Sequence, residues 1–316
     1  GFRAIDDNED GIFEPGSVLR VPLVTWTNVG GLAFPEGGQL EIVCRAHCRT
    51  MPSRVTLSRL GPGEHQDVSS LFTVKLVSFD ARSEVGDAPF LRKALLTTRL
   101  SLLDRAFFQG EVPCTIPVQF PVRLTQLKAP DLLGPGERGE IKLSVKNLSK
   151  VCYGPPLSAG ILAGSVRVEI RLSRYIFISS HESSSAAGPV ELVAAGFARQ
   201  PGDVTAGEED FVCALNFTKM SPGEIRTVTL RCGMRAEAAN ALYSNVRVSA
   251  TLHFCSTSPA LTSLGMRPIQ QMHDRVRVVP RFDPGSFYDL LLVTSSDIDR
   301  AEYLAYSYLA KLLDLF

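Results

Sequence analysis

The densest run of metal-ligating side chains lies near the start of the chain, in Asp6-Asp7-Asn8-Glu9-Asp10-Gly11-Ile12-Phe13-Glu14. It fits the D-x-[DN]-x-[DN]-G opening of a calcium loop. Calcium takes about six to eight oxygen ligands, and alternate side chains at Asp6, Asn8 and Asp10 can converge on one point. Gly11 permits the sharp turn, Ile12 offers its carbonyl and Glu14 a further carboxylate. The twelfth position, where a bidentate Glu belongs, is Ser17, and strand-like rather than helical sequence follows. One structural Ca2+ at Asp6, Asn8, Asp10, Ile12 and Glu14 is the cofactor this run implies. The alternative is an Asx-rich turn that only interrupts the chain before its first strand.

A second cluster, Cys44-Arg45-Ala46-His47-Cys48, has zinc-ligand residue types. In a strand Cys44 and Cys48 share a face while His47 points away, so three ligands do not converge without a turn. No second clustered pair completes a tetrahedron. A buried thiol pair or a disulfide partner is the expectation. The five histidines, His47, His65, His181, His253 and His273, sit in no G-x-S-x-G or H-E-x-x-H frame. His181 beside Glu182 and the run Glu208-Glu209-Asp210 read as solvated loops. Ser295-Ser296-Asp297 lacks the glycines of a phosphate cradle. Trp26 reads as core. No catalytic residue is assigned.

The scaffold for these groups follows from composition and periodicity. The chain has 316 residues, 45% hydrophobic and 21% charged, with 33 basic and 33 acidic side chains. That length suits two domains, and zero net charge provides no field for a nucleic-acid backbone. No stretch is long and apolar enough for a membrane span. Seven cysteines leave at least one unpaired within the chain. Those at Cys114, Cys213, Cys232 and Cys255 sit in apolar stretches and read as small hydrophobes. The sequons at Asn147 and Asn216 barely favour secretion, and the compartment stays open.

The dominant period is two. Ile141, Leu143 and Val145 alternate with Lys142, Ser144 and Lys146; Val166, Val168, Ile170 and Leu172 alternate with Arg167, Glu169 and Arg171. Val228, Leu230 and Cys232, and then Val246 through Phe254, repeat the pattern. Each predicts an antiparallel strand with one buried face. Pro-Gly turns recur at Pro15-Gly16, Pro62-Gly63, Pro135-Gly136 and Pro222-Gly223. Proline presets the first corner and glycine accepts the positive φ of the second, which predicts type II turns.

Two of these turns open parallel passages, EPGSVLRVPLVTWTNVGG and GPGERGEIKLSVKNLSK, each running turn, strand and Asn. They predict two related sandwich domains, 1–127 and 128–282, with Pro22 on an edge strand and a long Ser/Ala/Gly loop from Ser179 to Gly207. Phe79 to Asp87 reads as a surface loop. From Asp289 the apolar run Leu290 to Val293, then Ser295 to Asp299 and an amphipathic stripe at Leu304, Tyr308 and Leu312, predicts a strand and helix. They read as the start, over 283–316, of an α/β domain. A chain opening on Gly1 and ending at that helix reads as part of a longer polypeptide.

The opening D-x-N-x-D-G-I-x-E-P-G with T-N-x-G, and the pattern L-x-P-G-E-x-G-x-I-x-L-x-V-x-N at Leu133 to Asn147, resemble immunoglobulin-like modules of large multidomain, adhesion-type proteins. The resemblance implies a mainly β chain of two consecutive immunoglobulin-like antiparallel β-sandwiches plus a short C-terminal βα element. It implies a non-catalytic structural or interaction module, with other domains of the same longer chain, other proteins or glycans as partners. The rival expectation is the accessory region of an enzyme whose active site lies in the α/β domain beginning near Asp289.

Overall fold

Alternating apolar residues can satisfy their backbone only by pairing, and pairing is what a computed structural model of the chain displays. It describes residues 5–19, 25–68, 72–78, 92–102, 105–108, 114–155, 161–183, 189–199, 209–242 and 244–279. The strands of the first half are β1 (Val18–Leu19), β2 (Thr25–Thr27), β3 (Gly38–Ala46), β4 (Cys48–Met51), β5 (Arg54–Leu57), β6 (His65–Asp67), β7 (Thr73–Leu76), β8 (Arg92–Leu102), β9 (Arg105–Phe108) and β10 (Cys114–Val118). The second half has β11 (Val122–Lys128), β12 (Leu132–Leu133), β13 (Arg138–Asn147), β14 (Val166–Leu172), β15 (Ile176–Ser183), β16 (Val190–Arg199), β17 (Glu209–Phe217), β18 (Ile225–Met234), β19 (Asn245–Cys255) and β20 (Met266–Val278). Among the described residues, the remaining regular structure is two 3-10 turns, Ala236–Ala241 and Thr262–Leu264.

The chain is a mainly β protein of antiparallel sheets, as the alternation predicts. In the second half the order β11-β13-β18-β15 forms one sheet and β12-β20-β19-β14-β17-β16 the other. Their inner faces supply one core: Ile141, Leu143 and Val145 of β13 and Val168, Ile170 and Leu172 of β14 are wholly buried, as are Val248, Leu252 and Phe254 of β19. Full burial of each such side chain contributes about 1.5–3 kcal/mol. In the first half β10-β8-β3-β5, with β9 on β8, faces the sheet β1-β7-β4. A separate core of Leu19, Leu40, Ile42, Leu57, Val74, Leu76, Ile116 and Val118 lies there. Gly1–Arg281 nevertheless make one compact unit.

All four Pro-Gly turns form as expected, with φ of +89° at Gly16, +78° at Gly63, +79° at Gly136 and +72° at Gly223. In three of them the glutamate after the glycine folds back: Gly61, Gly134 and Ser221 donate their N–H to Glu64, Glu137 and Glu224 at 2.5, 2.7 and 2.7 Å. That explains why Glu follows Pro-Gly so often in this sequence.

The parallel passages also correspond atom by atom. Asn28 donates Nδ2 to the carbonyls of Leu32 and Leu60 and accepts the Gly30 N–H. Asn147 donates Nδ2 to Val151 and Met220 and accepts the Ser149 N–H. Leu60 and Met220 each stand just before a Pro-Gly turn, and each bridges an aromatic residue, Phe34 and Tyr153 respectively. Each half of the chain is thus tied by the same asparagine knot. Asn147 is fully buried, so in the folded chain its sequon presents no accessible amide; Asn216 accepts from Arg167 Nε at 2.9 Å.

One sequence expectation is overturned. The segment from Ser179 to Gly207 is not a long loop, since β15 runs to Ser183 and β16 spans Val190–Arg199. Both are edge strands, paired on one side only. An edge strand escapes burial along one flank, so Ser, Ala and Gly are tolerated and the apolar alternation fades. The expectations for Pro22, for 79–87, for the Trp26 side chain and for everything from 280 onward, Asp289 included, lie outside the described residues.

Candidate functional site

The acidic entrance segment ends on the Pro15-Gly16 turn, which fixes its direction, and it lies against both cores. On the first-core side Gln119 N–H donates to Phe13 O at 3.0 Å, beside a parallel bridge from Phe13 to Val118. On the other side it meets the end of β19, the start of β20 and the loop around Tyr153. Lys150 N–H donates to Asp10 O at 2.8 Å. Gly11, at φ +82°, lies so near the Lys150 stem that a Cβ would come within 3.0 Å of it.

Within the segment the Asx pattern closes on itself. Gly11 N–H donates to Asp6 Oδ2 at 2.7 Å and Ile12 N–H to Asp10 Oδ1 at 2.7 Å. Asn8 Nδ2 donates to Asp10 Oδ2 at 2.9 Å and to Thr257 Oγ1 at 2.7 Å. The Tyr153 hydroxyl donates to Asp10 Oδ2. Ser258 Oγ donates to Asp7 Oδ2 and Ser256 Oγ to Glu14 Oε2, both at 2.5 Å. Arg267 Nη2 forms an ion pair with Glu14 Oε1 and stacks 5.7 Å from the Phe120 ring centre.

These groups are deeply set: Asp10 is 1% and Glu14 2% exposed. Burial pushes both carboxyls above their ordinary pKa, against the lowering effect of Tyr153 on Asp10 and of Ser256 and Arg267 on Glu14. Hydrogen-bonding contact with Asp6 raises Asp10 further. Burial and then Asp10 push the Tyr153 phenol up, so it stays a donor.

The structure therefore brings Asp6, Asn8, Asp10, Ile12 and Glu14 into one buried neighbourhood. Their polar atoms face hydroxyls, backbone N–H groups and Arg267. Among the described residues no three His, Cys, Asp or Glu side chains gather as a metal ion requires. A calcium ion here would compete with the hydrogen bonds of Tyr153 and Asn8 to Asp10 and with the charge of Arg267 on Glu14. What the arrangement does chemically is hold two pieces of protein together.

The residues that complete this site, Tyr153, Ser256, Thr257, Ser258 and Arg267, are invisible to local sequence patterns because they lie 143 to 253 positions away. The one trace is Cys255-Ser256-Thr257-Ser258, a run of hydroxyls directly after an apolar strand. Elsewhere, Glu182 pairs with Arg231 at 2.6 Å and His181 Nε2 lies 2.9 Å from Val190 O, both on β15 rather than in a loop. Cys213 and Cys232 are buried, with burial pushing their thiols up to about 12 and about 11. No helix among the described residues is long and apolar enough to cross a membrane.

Residues 1–120 match a family model described as a domain of unknown function (DUF7932). No curated protein matches the chain. Among solved structures it is similar to the C-terminal domain of AspA, an antigen I/II-family protein of Streptococcus pyogenes, at 8% identity over 87% of this chain and 98% of that one, TM-score 0.39. It is similar to a cohesin module from a Clostridium perfringens family 33 glycoside hydrolase, at 10% identity over 49% of this chain and 96% of that one, TM-score 0.31. A third is ACE19, the collagen-binding subdomain of the Enterococcus faecalis surface protein ACE, at 9% identity over 48% of this chain and 98% of that one, TM-score 0.24.

Proposed function

We propose that residues 1–282 are a non-catalytic interaction module of a larger multidomain protein, two sandwich domains (1–127 and 128–282) latched into one piece by the acidic entrance segment. The observation that carries this reading is that Asp7, Asp10 and Glu14 each bond a side chain of the second half, Ser258, Tyr153 and Ser256 with Arg267 respectively, while the backbone of Phe13 pairs with Val118 and Gln119 of the first. The side chains best suited to acid-base or metal chemistry are occupied in tying the entrance segment to the second core. A third domain from 283 belongs to the same reading as the module's neighbour in the chain.

A latched pair keeps its sheet faces in fixed orientation, which is what a presenting scaffold needs. The outer face of the six-stranded sheet offers an open cleft of about 790 Å3 lined by Glu169, Arg171, Arg247, Ser249, Thr251 and Gln271. Arg171 is paired with Glu169 at 2.7 Å. Arg247 instead lies against the His273 ring, 3.0 Å from Nδ1. Burial, and then Arg247, lowers the His273 pKa, so the positive charge there sits on Arg247. A protein partner carrying a carboxylate suits this face.

A photo-crosslinking residue at Thr251, compared with one at exposed Val29, tests the reading. A discrete adduct from Thr251 alone, lost in Arg171→Glu/Arg247→Glu, is the expected result. Equal labelling from both positions, or labelling indifferent to the charge reversal, contradicts it.

A further inference from the structure

Cys44 lies two residues before the end of β3 at Ala46 and Cys48 opens β4, and between them the chain leaves one sheet for the other. β3 belongs to the sheet β10-β8-β3-β5 and β4 to β1-β7-β4. The β3–β8 register slips between Cys44 and Ala46, and His47 adopts a left-handed φ of +53°. The slip and the reversal bring together two thiols that a continuous strand would hold apart along one face. The Cys44 and Cys48 side chains are in hydrogen-bonding contact. Cys48 Sγ, whose single proton can serve one acceptor at a time, also lies 3.2 Å from Ala46 O and 3.6 Å from Leu95 O.

The two thiols differ in access and in chemistry. Cys48 is 7% exposed, while Cys44 is only half-buried. The Cys44 thiol is drawn below its ordinary pKa by the hydrogen bond from Cys48, against the effect of burial, with help from Thr50. A half-buried sulfur beside a sheltered one is the layout of an attacking and a resolving cysteine. Two thiols within hydrogen-bonding reach across a tight reversal can close to the roughly 2.05 Å of a disulfide by moving the turn at His47.

We propose that Cys44 and Cys48 form a reversible two-electron thiol–disulfide couple that staples the crossing between the two sheets of the first core. The oxidant is a low-molecular-weight disulfide, RSSR. Cys44 thiolate attacks one of its sulfurs, the S–S bond breaks, and one RS− leaves and takes up a proton. Cys48 thiolate then attacks Cys44 Sγ and displaces the second RS−, which is protonated in turn. Two protein thiols and RSSR become one protein disulfide and two RSH. The staple joins the last rungs of β3 to the first rung of β4, and a reduced low-molecular-weight thiol reverses both steps.

The test equilibrates the full chain in buffers of graded oxidised-to-reduced glutathione ratio, quenches with acid, alkylates free thiols and maps tryptic peptides. Cleavage after Arg45 separates the two cysteines, so a disulfide appears as a crosslinked peptide pair lacking two hydrogen atoms. The expected result is that pair, fully reversed by reduced glutathione. Cys48→Ser then leaves Cys44 as a stable glutathione adduct, and Cys44→Ser leaves Cys48 alkylatable. Exposed Cys152 serves as the internal reference. If both thiols remain alkylatable at ratios where Cys152 is fully modified, or Cys44 pairs with another cysteine, the proposal fails. The wild-type measurement needs no variant to fold.

Discussion

The Tyr153 hydroxyl donates to the Asp10 carboxylate across 143 positions of sequence, and both groups are buried. Phe34 occupies the corresponding place in the first half, bridging Leu60 as Tyr153 bridges Met220. The repeated aromatic position therefore carries a hydroxyl only in the half whose side chains bond the carboxylates of the entrance segment. Tyr153→Phe removes one donor from a buried carboxylate, and is expected to lower stability by about 1–3 kcal/mol in urea unfolding. An unchanged midpoint would show that Asp10 is satisfied without it.

Glu14 is the other anchor, with Arg267 as its charge partner. Arg267→Met leaves a buried carboxylate unpaired, and a loss of about 3–5 kcal/mol is expected. The double variant Glu14→Gln/Arg267→Met should recover part of that loss, because no unpaired charge remains. Simple additivity of the two single changes would mean that the pair is not coupled.

The raised pKa values of Asp10 and Glu14 give a signed pH dependence. A carboxyl whose folded pKa exceeds its unfolded one binds its proton more tightly when folded. Its contribution is fully present below the unfolded pKa and is lost as pH rises through the folded pKa. Wild-type stability minus that of Asp10→Asn/Glu14→Gln should fall as pH is raised from the ordinary carboxylate range toward neutrality. A difference that grows over that interval contradicts the burial argument.

Calcium separates a metal loop from a hydrogen-bonded latch. With its carboxylates already engaged by Tyr153, Ser256, Ser258 and Arg267, the chain should melt at the same temperature in calcium and in chelator. A calcium-dependent rise in the midpoint would restore the ion to Asp6, Asn8, Asp10, Ile12 and Glu14.

Two glycines separate backbone conformation from steric fit. Gly223 has φ +72° with open space around it, so Gly223→Ala is expected to cost about 1–2 kcal/mol. Gly154 has φ +82°, and a Cβ there would sit 2.1 Å from Phe217 O. Gly154→Ala must move backbone in the second core, and its loss should exceed about 4 kcal/mol. Equal effects of the two changes in denaturant titration would mean that the close approach is relaxed at no cost.

What was legible in the sequence was local. β13, β14, β18 and β19 bury the residues their alternation picks out, and the Pro-Gly turns take the φ their glycines permit. Ser144 departs from this: it alternates outward yet is buried, covered through hydrogen bonds to Gln126 and Thr227 on neighbouring strands. The acidic segment was visible as a cluster, but not what it faces, because its partners come from another part of the chain. β15 and β16 escaped notice because edge strands place little apolar demand on their sequence.

The central claim, that the entrance segment makes one cooperative body of two cores, is tested most directly by calorimetry of residues 1–281 and its Tyr153→Phe/Arg267→Met variant. A single heat-absorption peak for the wild type that divides into two in the variant is the predicted result. Two independent peaks already in the wild type, or one unshifted peak in both, would contradict it.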